Sequence, residues 1–272
     1  MNLIEYINRN RTDLSGIPVS RGVVLERFRR RDNVGDYIAE VIFDWMLKRK
    51  GLDAASGKNA HLFTVGSILG FSAANGVVWG SGVLEAWKAS QITMHRGFVR
   101  YDIRAVRGPI TRDILTAAGY KCWYVPFGDP GILMPLIVQK PKQEKKYKYC
   151  VVNHFVNENS HQDEGEDTLT VSAGTNDYEG FIRSICSAEK VISSSLHGII
   201  LAEAYHIPVI WLMEKTEISA MKFYDYYFST GRYNIPVATS VEEAKKMEAA
   251  PLPDLIVMQQ ALIRAFPYDL WS

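Results

Sequence analysis

Val191-Ile192-Ser193-Ser194-Ser195-Leu196-His197-Gly198-Ile199-Ile200-Leu201-Ala202-Glu203-Ala204 is the stretch on which the reading of the fold turns. Its apolar, β-branched opening reads as a buried strand. Three serines interrupt it, and a helix is expected from Leu196 or His197. A strand that runs directly into a helix belongs to a strand–helix–strand unit, whose strands lie parallel. The first N–H groups of such a helix have no internal partners. With the hydroxyls of Ser193, Ser194 and Ser195 they form a site for phosphate or carboxylate. His197 stands in that site and titrates in a range that allows proton transfer. A serine cap beside a structural histidine is the competing reading. The position at a strand-to-helix turn favours chemistry.

The same alternation extends outward. Strands are expected over residues 23–28, 61–65, 76–79, 103–106, 122–125, 149–153, 169–171, 191–193 and 208–211. Helices are expected over 35–50, 109–118, 178–188, 198–205, 218–229, 241–247 and 254–266. Tyr37, Ile38, Val41, Ile42, Trp45 and Met46 recur at helical spacing in the first of these. Pro109 suits a first turn and Gly119 a helix exit, and Asp177 can cap the helix after it. Such alternation predicts an α/β fold with parallel sheets. The segment 138–148, with Lys140, Pro141, Lys142, Lys145, Lys146 and Lys148, reads as a linker. The expected organisation is therefore an N-terminal Rossmann-like lobe over 1–137, the linker 138–148, a second Rossmann-like lobe over 149–250, and a C-terminal helix in 251–272 that packs back on the first lobe. The sheets are expected to face a cleft, with ligands beyond the C-terminal ends of the strands.

Composition narrows the partners. Of 272 residues, 31 are basic and 30 acidic, so no global charge argues for nucleic acid. Three cysteines, Cys122, Cys150 and Cys186, are too few and too scattered for a disulfide framework or a cysteine zinc site, and suit a reducing compartment. Residues 1–13 are polar and lack the apolar core of a secretory signal. No apolar run approaches the ~18 residues of a spanning helix. A cytoplasmic location is expected, with peripheral contact at the inner face of the membrane as an open alternative.

Four further loops can carry chemistry. Arg107 follows a strand and precedes a helix, where a guanidinium can grip an anion bidentately; the alternative is an ion pair. Arg112, one turn on, is expected to face solvent. Asn33, Gly35 and Asp36 join the first strand to the first long helix, either as a capped turn or as a ligand loop. Gly80, Ser81 and Gly82 form a glycine loop too short for a dinucleotide fingerprint, since Glu85 occupies the third glycine's place. Asn153 and His154 end the first strand of the second lobe. Arg27, Arg29, Arg30 and Arg31 form the sharpest basic cluster. His161 with Glu158, Asp163, Glu164, Glu166 and Asp167 reads as a solvated loop, so no metal site is expected.

Taken together, the ordered motifs resemble those of the polysaccharide pyruvyl transferase family. The segments that carry the resemblance are Asn33-Val34-Gly35-Asp36, Val78-Trp79-Gly80-Ser81-Gly82, Ala105-Val106-Arg107-Gly108-Pro109-Ile110-Thr111, Phe127-Gly128-Asp129-Pro130-Gly131-Ile132-Leu133, Ile192-Ser193-Ser194-Ser195-Leu196-His197-Gly198 and Met221-Lys222-Phe223-Tyr224-Asp225-Tyr226-Tyr227. The resemblance implies a glycosyltransferase-B-like pair of lobes, the first for the acceptor and the second for the donor. It implies phosphoenolpyruvate as donor substrate, no cofactor, and a pyruvate ketal formed on a sugar of a capsule, exopolysaccharide or cell-wall polymer. Whether the saccharide acceptor is carried on a lipid diphosphate stays open. His197 and Arg107 match the family's histidine and arginine; Ser193, Ser194, Ser195, Leu196, Gly198 and Lys222 would bind the donor. This chain departs from the family where Ser195 replaces an arginine. A nucleotide-sugar glycosyltransferase, with Glu203 on the ribose, and a degenerate glycan-binding relative are the alternatives.

Overall fold

The computed structural model describes residues 22–28, 31–71, 74–142, 144–157, 159–162, 164–214 and 220–272. Arg29, Arg30, Glu158, Asp163 and the start of the helix expected at 218 lie outside them. The described strands form two sheets, and every pairing is parallel. The first contains β1 (Val23–Glu26), β2 (Ala60–Phe63), β3 (Gly76–Trp79) and β4 (Tyr101–Ala105), in that order. The second has β5 (Tyr147–Asn153) between β6 (Thr168–Ser172) and β7 (Ala188–Ser193), followed by β8 (Val209–Leu212) and β9 (Val237–Ala238).

Helices lie in most of the crossovers that parallel pairing requires; the connections from β2 to β3 and from β5 to β6 have none among the described residues. The helices are α1 (Val34–Lys48), α2 (Ala86–His95), α3 (Pro109–Ala117), α4 (Tyr178–Cys186), α5 (Leu196–Ala204), α6 (Met221–Ser229), α7 (Val241–Lys246) and α8 (Ile256–Ala265). Local sequence sets their starts. Asn33 accepts from Gly35 N at 3.0 Å, and Asp177 from Gly180 N at 2.8 Å, each capping a first turn. Pro109 sits in the first turn of α3, where its missing N–H costs nothing.

One continuous buried apolar cluster contains Ile38 and Ile42 of α1, Trp79 of β3, Val152 of β5, Ile199 and Ile200 of α5, and Leu262 of α8. The two sheets therefore share a core. The 3-10 turn Pro130–Leu136 packs against α1, α5 and α8. A backbone bond, Val34 N to Ala173 O at 2.9 Å, ties the start of α1 to the exit of β6. The C-terminal helix is anchored by Trp79 Nε1 donating to Leu262 O, and by Gln259 Nε2 donating to Ile132 O, both at 2.8 Å.

One expectation needs correction, and two elements have no counterpart in the sequence reading. Residues 122–125 are a turn, and the pairing falls instead at Val106 and Phe127. Trp123 and Tyr124 gave that segment an apolar look, yet both side chains are exposed. Helix α2 was not expected, because its apolar face is thin; Ile92 is the apolar side chain it fully buries. The two-residue β9 is too short to leave a periodic signal. Two lysines of the segment 138–148 bond to helix ends. Lys140 Nζ donates to Tyr205 O at 2.6 Å, and Lys145 Nζ to Cys186 O at 2.9 Å and Ala188 O at 2.6 Å. These ammonium groups close the carbonyl ends of α5 and α4.

Leu262 is fully buried where α8 meets the shared core. Leu262→Ala is expected to cost about 2–5 kcal/mol, the usual range for emptying such a site. Urea denaturation checks it, and a loss below about 0.5 kcal/mol would show that α8 is a surface appendage.

Candidate functional site

Strand β7 ends at Ser193, and the three serines then divide their roles. Ser193 Oγ accepts from Ser195 N at 3.0 Å and donates to Ser195 O at 2.9 Å, which fixes the turn. Gly198 packs directly on that hydroxyl. Ser194 Oγ accepts from His154 N at 3.0 Å, joining the turn to the exit of β5. Ser195 is the N-cap residue of α5, but its side chain makes no capping bond. The start of α5 therefore keeps donors to offer.

A cavity of about 410 Å³ opens at this point. Ser195, Leu196 and His197 line it, together with Asn33, Asp36, His154 and Lys222. Arg31 contributes a second long cation. Gly66 and Ser67 bound it from the loop after β2, and Phe28, Phe71 and Phe155 give it an apolar wall. Residues from both sheets' loops thus face one space.

His197 is held from two sides. A Cβ at residue 35 would collide with its imidazole at Nδ1, so Gly35 is the floor on which the ring lies. Its Nε2 points at Asp129 Oδ2, 3.7 Å away. Asp129 is fully buried, and its other oxygen accepts from Gly131 N at 2.9 Å. Sequence reasoning gives Asp129 no role, because nothing local to it signals the approach of His197, 68 positions away.

Two groups in the cavity carry shifted acidity. Burial raises the Asp36 carboxyl to about 6, against the opposing pull of His197, the Phe28 N–H and Arg27. His154 is lowered to about 3, first by burial and then by Lys222 and His197, so it is neutral at pH 7. Lys222 Nζ lies 3.5 Å from His154 Nε2, and Val156 N lies 3.3 Å from its Nδ1. A neutral imidazole has one acceptor nitrogen, so in either tautomer it accepts from one of these two donors and not from both.

Other expected site residues lie elsewhere. Arg107 is fully buried and does not line the cavity. Its Nε donates to Asp225 Oδ2 at 3.0 Å, its Nη2 to Val83 O at 2.8 Å, and its Nη1 to Ser67 Oγ. It therefore stands one hydroxyl behind the wall. Gly80, Ser81 and Gly82 are buried behind Gly66 and do not line the cavity. Ser81 Oγ donates to Gly66 O at 3.0 Å, and a Cβ at Gly82 would strike the Arg107 guanidinium. Asn153 donates to His161 O at 3.1 Å and is buried beside His154. Arg112 lies over the Phe127 ring and pairs with exposed Asp113. Glu203 is buried and engaged by Arg232 at 2.6 and 2.7 Å and by Tyr226 OH at 2.8 Å, which leaves no carboxylate oxygen for a ribose. Among the described residues, no group of three or more His, Cys, Asp or Glu could hold a metal ion, and no helix is long and apolar enough to cross a membrane.

Comparison with known proteins finds similarity at the level of family, curated sequence and solved structure. The family model for polysaccharide pyruvyl transferase matches residues 33–215. An uncharacterized protein of Acanthamoeba polyphaga mimivirus is 34% identical over 177 residues, which is 62% of this chain and 59% of that protein. The chain thus spans less than two thirds of that relative. The crystal structure of a functionally uncharacterized protein from Klebsiella pneumoniae is similar at 14% identity and a TM-score of 0.49, over 85% of this chain and 94% of that one.

The raised Asp36 pKa has a signed consequence. Between the unfolded value of 3.8 and the native value of about 6, the folded protein holds a proton that the unfolded chain has released. Ionising this acid therefore lowers stability as pH rises through that window, by on the order of 3 kcal/mol. Asp36→Asn keeps an acceptor for the Phe28 N–H. It is expected to gain on the wild type as pH goes from about 4 to about 7. Urea denaturation across that range checks this, and a pH-independent difference would refute it.

Proposed function

The chain belongs to the polysaccharide pyruvyl transferase family, and from that premise we propose that it moves pyruvate from phosphoenolpyruvate onto a sugar of a cell-surface polysaccharide precursor, closing a ketal. The observation that carries this reading is the meeting of His197, Lys222 and the open start of α5 in one cavity. An enol phosphate carries a phosphate and a carboxylate. Helix N–H groups and ammonium or guanidinium cations are the donors such a ligand needs.

In this reading the two sheets are the lobes of a glycosyltransferase-B-like enzyme and the cavity is the cleft between them. The domain limits are those expected from sequence, with the acceptor on the first lobe and the donor on the second. The α5 start, Ser195 and Lys222 hold the donor, and Arg31 and Lys222 supply the charge that Ser195 does not. His197 gives a proton to the methylene carbon of phosphoenolpyruvate, which makes C2 electrophilic. One sugar hydroxyl bonds to C2 and returns its proton to His197. A neighbouring hydroxyl then bonds to the same carbon as the C2–O bond to phosphate breaks, and its proton leaves with the phosphate. The products are a pyruvate ketal and inorganic phosphate. Neutral His154 accepts a hydrogen bond from Lys222 or from an acceptor hydroxyl. Arg107 touches no reacting atom and acts as a positioning residue through Ser67. Fixed donors in a partly dry site supply much of the stabilisation.

His197→Ala and Lys222→Ala are each expected to lower phosphate release from phosphoenolpyruvate on the order of 10²–10⁴-fold. The assay uses a panel of free and lipid-linked saccharides. Full turnover by His197→Ala would remove the proton-transfer role. Stabilisation of the wild type by a nucleoside diphosphate, and not by phosphoenolpyruvate, would overturn the donor.

A further inference from the structure

We propose that Asp129 is the positioning residue of His197, holding the ring proton on Nε2 and leaving Nδ1 to exchange protons in the cavity. The reaction it would serve is the pyruvyl transfer argued above; the pair itself stands on geometry alone. Asp129 Oδ2 and His197 Nε2 are both buried, and neither has a hydrogen-bond partner. They lie 3.7 Å apart and face each other. A buried carboxylate oxygen without a donor is costly, and so is a buried ring nitrogen without a partner. Each lacks what the other has. Closing the gap by roughly 0.8–1 Å makes a charge-assisted hydrogen bond, and such bonds often tighten when ligand fills a site.

The surroundings allow one direction only. Asp129 Oδ1 is committed to the Gly131 N–H that it caps, so Oδ2 is the oxygen left for the ring. On the far side, Gly35 supports the imidazole at Nδ1. The titratable groups that act on His197 are Asp129 from the loop after Phe127, Asp36 from α1 and His154 from the exit of β5, with Lys222 of α6 beyond His154. A carboxylate on the buried nitrogen does two things. It fixes the tautomer, and it favours the imidazolium that forms when the other nitrogen takes a proton. Asp36 adds a second negative charge, but the cap it gives the Phe28 N–H orients it to the β1 exit.

Asp129→Asn tests this without emptying the site. The Gly131 N–H requires an oxygen, and asparagine supplies one as a good cap. Its amide nitrogen then replaces Oδ2 and donates to Nε2, which drives the ring proton to Nδ1. The full chain is labelled with ¹⁵N-histidine, and His197 is assigned among the six histidines with His197→Gln. Neutral His197 is expected to carry its proton on Nε2 in the wild type and on Nδ1 in Asp129→Asn. The variant is also expected to lose on the order of 10–100-fold in kcat for phosphate release, with KM for phosphoenolpyruvate unchanged. The limb of its pH profile that reports His197 moves to lower pH. A wild type protonated on Nδ1, or a variant with the wild-type tautomer and profile, would overturn the pairing. The wild-type spectrum decides the tautomer even if the variant does not fold. It needs no substrate, so a wild type inert toward phosphoenolpyruvate would sink the transfer reading and still leave the pair to be judged.

Discussion

The Arg107–Asp225 ion pair is the constraint around which the site is assembled. Both side chains are buried, and the pair does not stand alone. Asp225 also accepts from Thr111 N at 3.0 Å and from Thr111 Oγ1 at 2.7 Å. Arg107 reaches Val83 O and Ser67 Oγ. One network therefore fastens the loops after β2 and β3, the turn from β4 into α3, and helix α6. Removing one partner would leave an uncompensated buried charge, which typically costs about 3–5 kcal/mol. Lys222 lies one turn before Asp225 on α6. The position of a cavity cation thus follows from a bond made outside the cavity.

That network also explains what the sequence disclosed and what it withheld. The strand–serine–helix turn at 191–204 was legible, because its apolar run, its breakers and its helix start are local. So was the cap at Asn33, and so was the alternation that makes both sheets parallel. The placement of Arg107 was not legible. A cation at a strand-to-helix turn has the same local signature whether it meets a ligand or a carboxylate, and its partner lies 118 positions away. Gly80–Gly82 misled for a related reason. Gly82 makes room for the guanidinium, and Gly80 lies against Pro130. Helix α2 and the turn at 122–125 failed in opposite ways, one by burying too little apolar surface and the other by exposing its aromatics.

The ionic groups sort into two classes by what surrounds them. Glu203 with Arg232, and Asp225 with Arg107, have every charged face occupied and hold helices in place. Asp36, His154, His197 and Lys222 share one space, and each perturbs another. Closed pairs of the first kind keep the second set in register. The open set is where protonation can change without the fold changing.

The contact between His197 and Gly35 has one more consequence. The histidine rides on a helix of the second sheet, and its floor belongs to the first helix after β1. Neither segment contains a complete site. A fragment that carried the second sheet alone would keep the serines and the imidazole but lose the surface that sets the ring's angle. Reconstitution from two separately folded pieces would therefore demand that the pieces dock to within the thickness of one methyl group.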